Sequence, residues 1–139
     1  MFKGKVLLVD DDAVHRIMAK KIMSDLGCSV IAVDNAITAI AKLRAQPETY
    51  ALVFMDWEMP EMTGLQAAEK IRAQQGKRNW PHIPIIAFTS NKSDGDQEKC
   101  LAAGMDDYMA KEIFLPKWQN LLQEKLEKWG KVSDERYDG

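Results

Sequence analysis

Residues 6–12 read Val-Leu-Leu-Val-Asp-Asp-Asp, an apolar run that ends on three consecutive acidic residues. A short, continuous apolar run of this kind is typical of a buried strand in a parallel sheet. The carboxyl ends of parallel strands lie along one edge of an α/β sheet, where ligands bind. The stretch therefore predicts an α/β fold and makes Asp10 and Asp11 candidate site residues.

Three later apolar runs also end on polar side chains that can carry chemistry. They are residues 51–55 before Asp56, residues 83–88 before Thr89, and residues 108–110 before Lys111. If all four runs are strands of one parallel sheet, carboxylates, a hydroxyl and an ammonium meet in one pocket. Such a set of groups suits a divalent metal ion together with a phosphoryl group.

The composition describes an ordinary globular protein of one domain. The chain has 139 residues, of which 46% are hydrophobic and 29% are charged, and its length fits a single core. A net charge of −2 gives no support for nucleic-acid binding, which needs a basic face. Cys28 and Cys100 lack the spacing of metal ligands, and no apolar stretch reaches membrane length. We therefore expect a soluble, cytoplasmic protein with reduced cysteines that binds neither nucleic acid nor membranes.

Apolar runs alternate with helical patterns along the whole chain, which predicts βα units and a parallel sheet. The predicted strands are residues 5–9, 29–33, 51–55, 85–88 and 107–110. The predicted helices are residues 13–26, 36–46, 63–75, 94–103 and 116–129. We expect one domain over residues 1–129, followed by a polar, frayed tail over residues 130–139.

The acidic residues at the strand ends predict a magnesium site. Asp10, Asp11 and Asp56 would repel one another at close range unless a cation joins them. Mg²⁺ prefers hard oxygen ligands and retains open positions that a phosphoryl oxygen can take, and Mn²⁺ could substitute for it. Asp12 is better suited to capping the following helix than to binding metal. For His15 we expect an exposed helix position, because Mg²⁺ disfavours imidazole.

Asp56 is the candidate nucleophile of this pocket. A carboxylate can attack phosphorus directly and form an acyl phosphate, and such a transfer depends mostly on positioning and charge neutralisation. Lys111 supplies a mobile point charge for a phosphoryl oxygen, and the Thr89 hydroxyl can donate to another. A solvated loop charge, a surface lysine and an ordinary strand threonine are the alternatives for these residues taken singly.

Four stretches together resemble the receiver domain of two-component response regulators. They are residues 6–12, residues 54–60 with Thr63 and Gly64, residues 85–90, and residues 104–111. The resemblance covers residues 5–126. It implies a flavodoxin-like (βα)5 fold, a three-layer sandwich with a central parallel five-stranded sheet of order 2-1-3-4-5.

The resemblance also implies roles for individual residues. Asp56 would be the phosphoacceptor and Lys111 would contact the phosphoryl group. Asp10 and Asp11 would bind Mg²⁺ with Asp56 and the backbone carbonyl of Glu58.

Further roles concern switching and the lifetime of the phosphoryl group. Thr89 would be the switch hydroxyl. Tyr108 matches the aromatic switch position, although a half-exposed strand tyrosine explains it equally well. Glu58 and Asn91 occupy positions that influence hydrolysis of the acyl phosphate, where Glu58 could either repel or orient water.

The same resemblance implies partners. Residues 98–108 look most like receivers of hybrid histidine kinases and phosphorelays, so a histidine kinase or a histidine phosphotransfer domain would be the phosphodonor. The fourth helix, fifth strand and fifth helix would form the output surface, read by an effector or by a second copy. The chain would then be no enzyme beyond its own phosphorylation and slow autodephosphorylation. It could be a stand-alone protein or a receiver cut from a hybrid kinase.

One departure from the family pattern is Glu112, which follows Lys111 where most receivers have a proline joined by a cis bond. A cis bond before a non-proline residue costs about 3–4 kcal/mol, so we expect a trans bond that shifts the following loop and loosens Lys111. A pseudo-receiver that binds partners without phosphorylation is one alternative. A haloacid-dehalogenase-like phosphatase is another, but it needs an aspartate two residues after the nucleophile, where this chain has Glu58.

Overall fold

A computed structural model describes residues 5–89 and 95–138, with side chains described up to Gly130. Five strands alternate with five helices in these residues, as the sequence predicted. The strands are β1 (Lys5–Val9), β2 (Ser29–Val33), β3 (Tyr50–Asp56), β4 (Ile85–Thr89) and β5 (Asp107–Ala110). The helices are α1 (Ala13–Asp25), α2 (Ala36–Ala45), α3 (Gly64–Arg78), α4 (Asp96–Ala102) and α5 (Pro116–Asp138).

The strands form one parallel sheet of order β2-β1-β3-β4-β5, which confirms the predicted flavodoxin-like topology. The order reverses at β1, so that β1 lies between β2 and β3. In the register of β1 and β3, Val9 is opposite Met55. The residues that follow, Asp10 and Asp56, therefore lie side by side at the carboxyl edge of the sheet.

Apolar side chains cover both faces of the sheet, which is why its strands are continuous hydrophobic runs. Leu7 and Val9 of β1 belong to the core that α2, α3 and α4 cover. Val6 and Leu8 belong to the core that α1 and α5 cover. The result is the predicted three-layer sandwich. Among the described helices, none combines the length and the apolar character that crossing a bilayer requires.

Helix α3 is longer than the sequence suggested. It continues beyond the predicted end at residue 75, through Gly76 to Arg78, and ends at Asn79. Asn79 has a φ of 57°, and its N–H bonds back to the Gln75 carbonyl. Asparagine tolerates this left-handed conformation well. Asn79 therefore ends the helix, and Gly76 lies inside it.

Helix α5 is also longer than predicted, since it runs through Asp138 instead of ending at Trp129. Asp107 at the start of β5 anchors its middle: Oδ2 accepts hydrogen bonds from Lys125 Nζ at 2.8 Å and from Trp129 Nε1 at 3.0 Å. Beyond Gly130 the sequence is mostly composed of residues that tolerate a helix and contains no proline. The expected frayed tail is therefore helical through Asp138.

A polar network at the amino edge of the sheet joins α3 to β4 and β5. Arg72 donates to the carbonyls of Gly104 at 2.7 Å and Ile83 at 2.9 Å, and to Asp106 Oδ2 at 2.7 Å. The other oxygen of Asp106 lies 3.0 Å from His82 Nε2. The network fixes the two loops that precede β4 and β5, at the edge opposite the candidate site.

Gly64 marks a close approach of α3 to the end of β3. Its N–H donates to the Trp57 carbonyl at 2.8 Å, and a Cβ at this position would overlap the carbonyl oxygen of Asp56. Because both contacts are backbone atoms, only a hydrogen fits there.

We therefore predict that Gly64→Ala lowers the free energy of unfolding by about 2 kcal/mol or more, through overpacking against the Asp56 backbone. Urea denaturation measures this change. Gly76→Ala is the matched control, since Gly76 lies on an exposed face of the same helix with nothing within 4 Å of its added Cβ. That control should raise the free energy of unfolding by roughly 0.5–1 kcal/mol, and equal effects of both substitutions would contradict the argument.

Candidate functional site

The structure brings together the three acidic residues that were predicted to share a pocket. Asp10, Asp11 and Asp56 each offer a carboxylate oxygen, and these oxygens lie within 4.8 Å of one another. Asp10 directly follows β1, and Asp56 is the last residue of the neighbouring β3. Strand pairing therefore builds the cluster, as the strand-end pattern predicted.

Asp10 is fully buried and held on several sides. Its N–H donates to the Val33 carbonyl at 3.1 Å, and its Oδ1 accepts from the Asp12 N–H at 2.9 Å and from Lys111 Nζ at 3.0 Å. Its Oδ2 is buried but accepts no hydrogen bond, although Lys111 Nζ lies 3.0 Å away. Such a buried oxygen is costly unless something satisfies it.

Lys111 connects the two buried carboxylates. Its Nζ lies 3.0 Å from Asp10 and 3.2 Å from Asp56 Oδ2, and the side chain is 8% exposed. Burial alone would lower the pKa of Lys111, but the hydrogen bond to Asp10 and the negative charge of Asp56 raise it. Lys111 therefore stays charged in the pocket.

The peptide bond after Lys111 is trans, as expected, since the described residues contain no cis peptide bond. The expected loosening is not seen: the Lys111 N–H donates to the Thr89 carbonyl at 2.9 Å, and Nζ reaches both carboxylates. Glu112 in place of proline is thus compatible with the lysine in the site.

Asp56 has an unusual affinity for protons. Burial raises its pKa from the ordinary 3.8 to about 7. The positive charge of Lys111 lowers this pKa, but the negative charge of Asp10 raises it. A hydrogen bond between the side chains of Asp56 and Asp11 raises the pKa of Asp56 further. One ammonium is thus too little positive charge for this group of carboxylates.

The residues present fit Mg²⁺. Three carboxylates converge, the donors are all hard oxygens, and one buried oxygen of Asp10 accepts no hydrogen bond. Asp11 is exposed at the mouth of the cluster, which leaves room for the retained waters that Mg²⁺ usually keeps.

Asp12 caps α1, as predicted. Its Oδ1 accepts hydrogen bonds from the N–H groups of Val14 at 2.9 Å and His15 at 3.1 Å. The hydrogen bond from the His15 backbone lowers the pKa of Asp12. Its carboxylate is therefore engaged with the helix and lies outside the three-residue cluster.

Thr89 and Tyr108 lie on the strands next to the pocket. Thr89 ends β4, is 2% exposed, and comes one residue after Phe88, which pairs with Asp56. Tyr108 is half-buried on β5, and its side chain packs against the core that α2, α3 and α4 cover. Their roles in switching remain predictions.

Two further predicted positions remain without a test. The side chain of Glu58 is exposed two residues after Asp56, and the use of its carbonyl as a metal ligand stays a prediction. Asn91 lies outside the described residues.

The segments that follow the site residues Asp10–Asp12 and Lys111 carry exposed apolar side chains that the sequence did not reveal. Val14 and Ile17 on α1 are 58% and 67% exposed, and Phe114 after β5 is 65% exposed. His15 packs against Phe114 with ring centroids 6.1 Å apart. Its side chain is only 27% exposed, so the expected exposed position for His15 is wrong.

Arg16 is a second feature that the sequence analysis missed. Its Nη1 donates to the backbone carbonyl of Asp10 at 2.9 Å. A basic residue on the second turn of a helix looks like ordinary surface charge, and no sequence signal marks a hydrogen bond back to the preceding strand end.

The raised pKa of Asp56 leads to a prediction about stability and pH. Between the ordinary value of 3.8 and about 7, the folded chain holds the Asp56 proton more tightly than the unfolded chain does. Ionisation of Asp56 therefore destabilises the metal-free protein as the pH rises through this window, by at most about 1.4 kcal/mol per pH unit. Asp56→Asn cannot ionise, so its stability relative to the parent should increase from about pH 4 to about pH 7 and then level off.

Urea denaturation in the presence of a chelator measures this difference at each pH. Asp25→Asn is the control, because Asp25 is exposed on α1 in a surface pair with Lys21. A relative stability of Asp56→Asn that stays constant with pH would contradict the pKa assignment.

Comparison with known proteins places these features in a family. Residues 6–123 match the response regulator receiver domain. The chain is 37% identical over 129 residues to hybrid signal transduction histidine kinase L of Dictyostelium discoideum, covering 92% of this chain and 7% of that protein. It is 38% identical over 109 residues to sensor protein GacS of Pseudomonas syringae pv. syringae, covering 78% of this chain and 12% of that protein. The chain thus spans only a small part of these relatives.

Solved structures show the same fold. The receiver domain of sensor histidine kinase PA1611 from Pseudomonas aeruginosa, with a magnesium ion coordinated in its active-site cleft, is 36% identical with a TM-score of 0.75, covering 92% of this chain and 98% of that one. The Saccharomyces cerevisiae Ssk1 receiver, crystallised with the histidine phosphotransfer protein Ypd1, is 25% identical with a TM-score of 0.82, covering 94% and 91%. By sequence and by fold, this chain belongs to the response regulator receiver domain family.

Proposed function

We propose that this chain is a phosphorylation-dependent signalling receiver, in which Asp56 accepts a phosphoryl group from a phosphohistidine donor with the help of Mg²⁺. The observation that carries the proposal is the contact of Lys111 Nζ with both Asp10 and Asp56, inside a cluster of three carboxylates. A nucleophile, metal ligands and a phosphoryl-binding cation are thus in one pocket.

The transfer itself is a simple substitution at phosphorus. A carboxylate oxygen of Asp56 forms a bond to phosphorus while the bond from phosphorus to the donor imidazole nitrogen breaks. The electron pair of the broken bond returns to the imidazole. The ionised form of Asp56 is the one that attacks. Positive charge in the pocket stabilises this form and therefore favours the reaction.

The residues of the chain divide this work. Asp10, Asp11 and Asp56, with the carbonyl of Glu58, would hold Mg²⁺, which when bound supplies positive charge next to the phosphoryl oxygens. Lys111 would shift its contact from Asp56 to a phosphoryl oxygen.

We assign the switch to residues on the strands that flank the pocket. The Thr89 hydroxyl would donate to a phosphoryl oxygen, and Tyr108 on the neighbouring β5 would turn inward in response. The surface of α4, β5 and α5 would change and be read by an effector or a second copy. Glu58 and Asn91 would set how fast water hydrolyses the acyl phosphate.

The relatives support a phosphohistidine on another protein as the donor. Two of them are a hybrid histidine kinase and a sensor protein, and the Ssk1 receiver was crystallised with a histidine phosphotransfer protein. A histidine kinase or histidine phosphotransfer domain in the cytoplasm is the partner we propose. Residues 1–129 would form the receiver, and we propose no catalysis beyond its own phosphorylation and slow autodephosphorylation.

The segments that follow the site residues suit a protein donor. A phosphohistidine on another protein reaches Asp56 only if that protein touches the surface around the pocket. Val14 and Ile17 on the first turns of α1, which follows the Asp10–Asp12 loop, and Phe114, three residues after Lys111, expose apolar area. Burial of such side chains favours association by roughly 25 cal/mol per Å² of apolar area.

The direct test is incubation with acetyl phosphate and Mg²⁺, followed by intact-mass measurement. We predict the addition of one phosphoryl group to the parent chain and none to Asp56→Asn. Asp25→Asn is the matched control and should be labelled like the parent, because Asp25 lies on the exposed side of α1.

The other outcomes separate the alternative functions. An unchanged mass of the parent chain, with acetyl phosphate and with a phosphorylated histidine phosphotransfer protein, would favour the pseudo-receiver. Multiple turnover of a phosphate ester would instead favour a phosphatase. Labelling that persists in Asp56→Asn would show that another residue is the acceptor.

A further inference from the structure

We propose that Arg16 is a positioning residue for the metal site, which it serves through the backbone of Asp10 without touching the metal. This inference rests on the proposed function, since it concerns the same Mg²⁺ site. The observation behind it is the hydrogen bond from Arg16 Nη1 to the Asp10 carbonyl oxygen at 2.9 Å.

The hydrogen bond lies where the sheet no longer holds the chain. β1 ends at Val9, and Asp10 begins the connection to α1. The N–H of Asp10 still donates to Val33 of the neighbouring strand, at 3.1 Å. Arg16, from the second turn of α1, supplies the donor for the carbonyl on the other side of the same residue.

Holding this carbonyl also orients Asp11. The peptide unit that joins Asp10 to Asp11 is planar, so a fixed carbonyl direction fixes where the Asp11 backbone starts. Asp11 is the exposed member of the carboxylate cluster, whereas Asp10 and Asp56 are buried. The orientation of Asp11 therefore depends on the loop backbone more than theirs does.

Arg16 is itself fixed by the helix. Its N–H donates to the Asp12 carbonyl at 2.9 Å, while the Asp12 side chain caps α1. The guanidinium is partly buried over the loop. The loop of Asp10, Asp11 and Asp12 is thus held from the strand, from the helix cap and from Arg16.

Positioning and simple electrostatics predict opposite results when Arg16 is neutralised. A positive charge near a cation site opposes Mg²⁺, so losing only that charge would tighten binding. Loss of a partner that orients metal ligands weakens binding, typically by 10–100-fold. The sign of the change therefore distinguishes the two roles.

The test is calorimetric titration of Mg²⁺ into the full chain, with Arg16→Met, Arg16→Lys and the control Lys20→Met. Lys20 lies on the exposed face of α1, one turn after Arg16. We expect Arg16→Met to weaken Mg²⁺ binding about tenfold. Arg16→Lys, which keeps the charge and one donor group, should recover part of the affinity. Lys20→Met should leave the affinity unchanged or slightly tighter.

A second measurement separates positioning from general damage to the fold. With acetyl phosphate as donor, Arg16→Met should need about tenfold more Mg²⁺ for half-maximal labelling and should keep the maximal rate at saturating Mg²⁺. If Arg16→Met does not fold, Arg16→Lys gives the answer through the same shift in Mg²⁺ requirement.

Two failures would have different meanings. If the parent chain binds Mg²⁺ and Arg16→Met binds it equally or more tightly, the inference about Arg16 is overturned while the proposed function stands. If the parent chain itself binds no Mg²⁺, the metal site of the proposed function is overturned, and the inference falls with it.

Discussion

Parallel pairing of β1 and β3 forces Asp10 and Asp56 next to each other, because the two strands are hydrogen-bonded neighbours that end in register. Asp11 adds a third carboxylate within 4.8 Å, and Lys111 is the cation in contact with the two buried ones. Burial, together with the negative charge of Asp10, raises the pKa of Asp56 to about 7 against the opposing effect of Lys111. The three carboxylates are thus incompletely neutralised by Lys111.

The rest of the fold keeps this unfavourable cluster in place. Apolar layers on both faces of the sheet fix the strands, so their ends cannot separate to relieve the repulsion. At the mouth, Gly64 allows α3 to lie against the end of β3, and Asp12 caps α1. Stability that comes from packing elsewhere therefore holds these like charges together.

Much of the site could be predicted from the sequence, because strand ends in a parallel sheet share one edge. Apolar runs that stop on Asp10, Asp56 and Lys111 were enough to place these residues together. The hydrogen bond from Arg16 to the Asp10 carbonyl could not be predicted, since it depends on where a long side chain lies after the helix has packed. The extension of α5 to Asp138 was missed for a related reason: Gly130 resembles a helix end.

If the crowded carboxylates at the strand ends form a cation site, the temperature of the thermal unfolding midpoint depends on Mg²⁺ concentration. A ligand that binds only the folded chain raises its stability by RT ln(1 + [L]/Kd). We expect the midpoint of the parent chain to rise with Mg²⁺. The midpoint of Asp11→Ala, whose metal-free form should be at least as stable, should stay level, and this difference is the mark of a cation site. A parent chain whose midpoint is the same with and without millimolar Mg²⁺ would contradict this assignment.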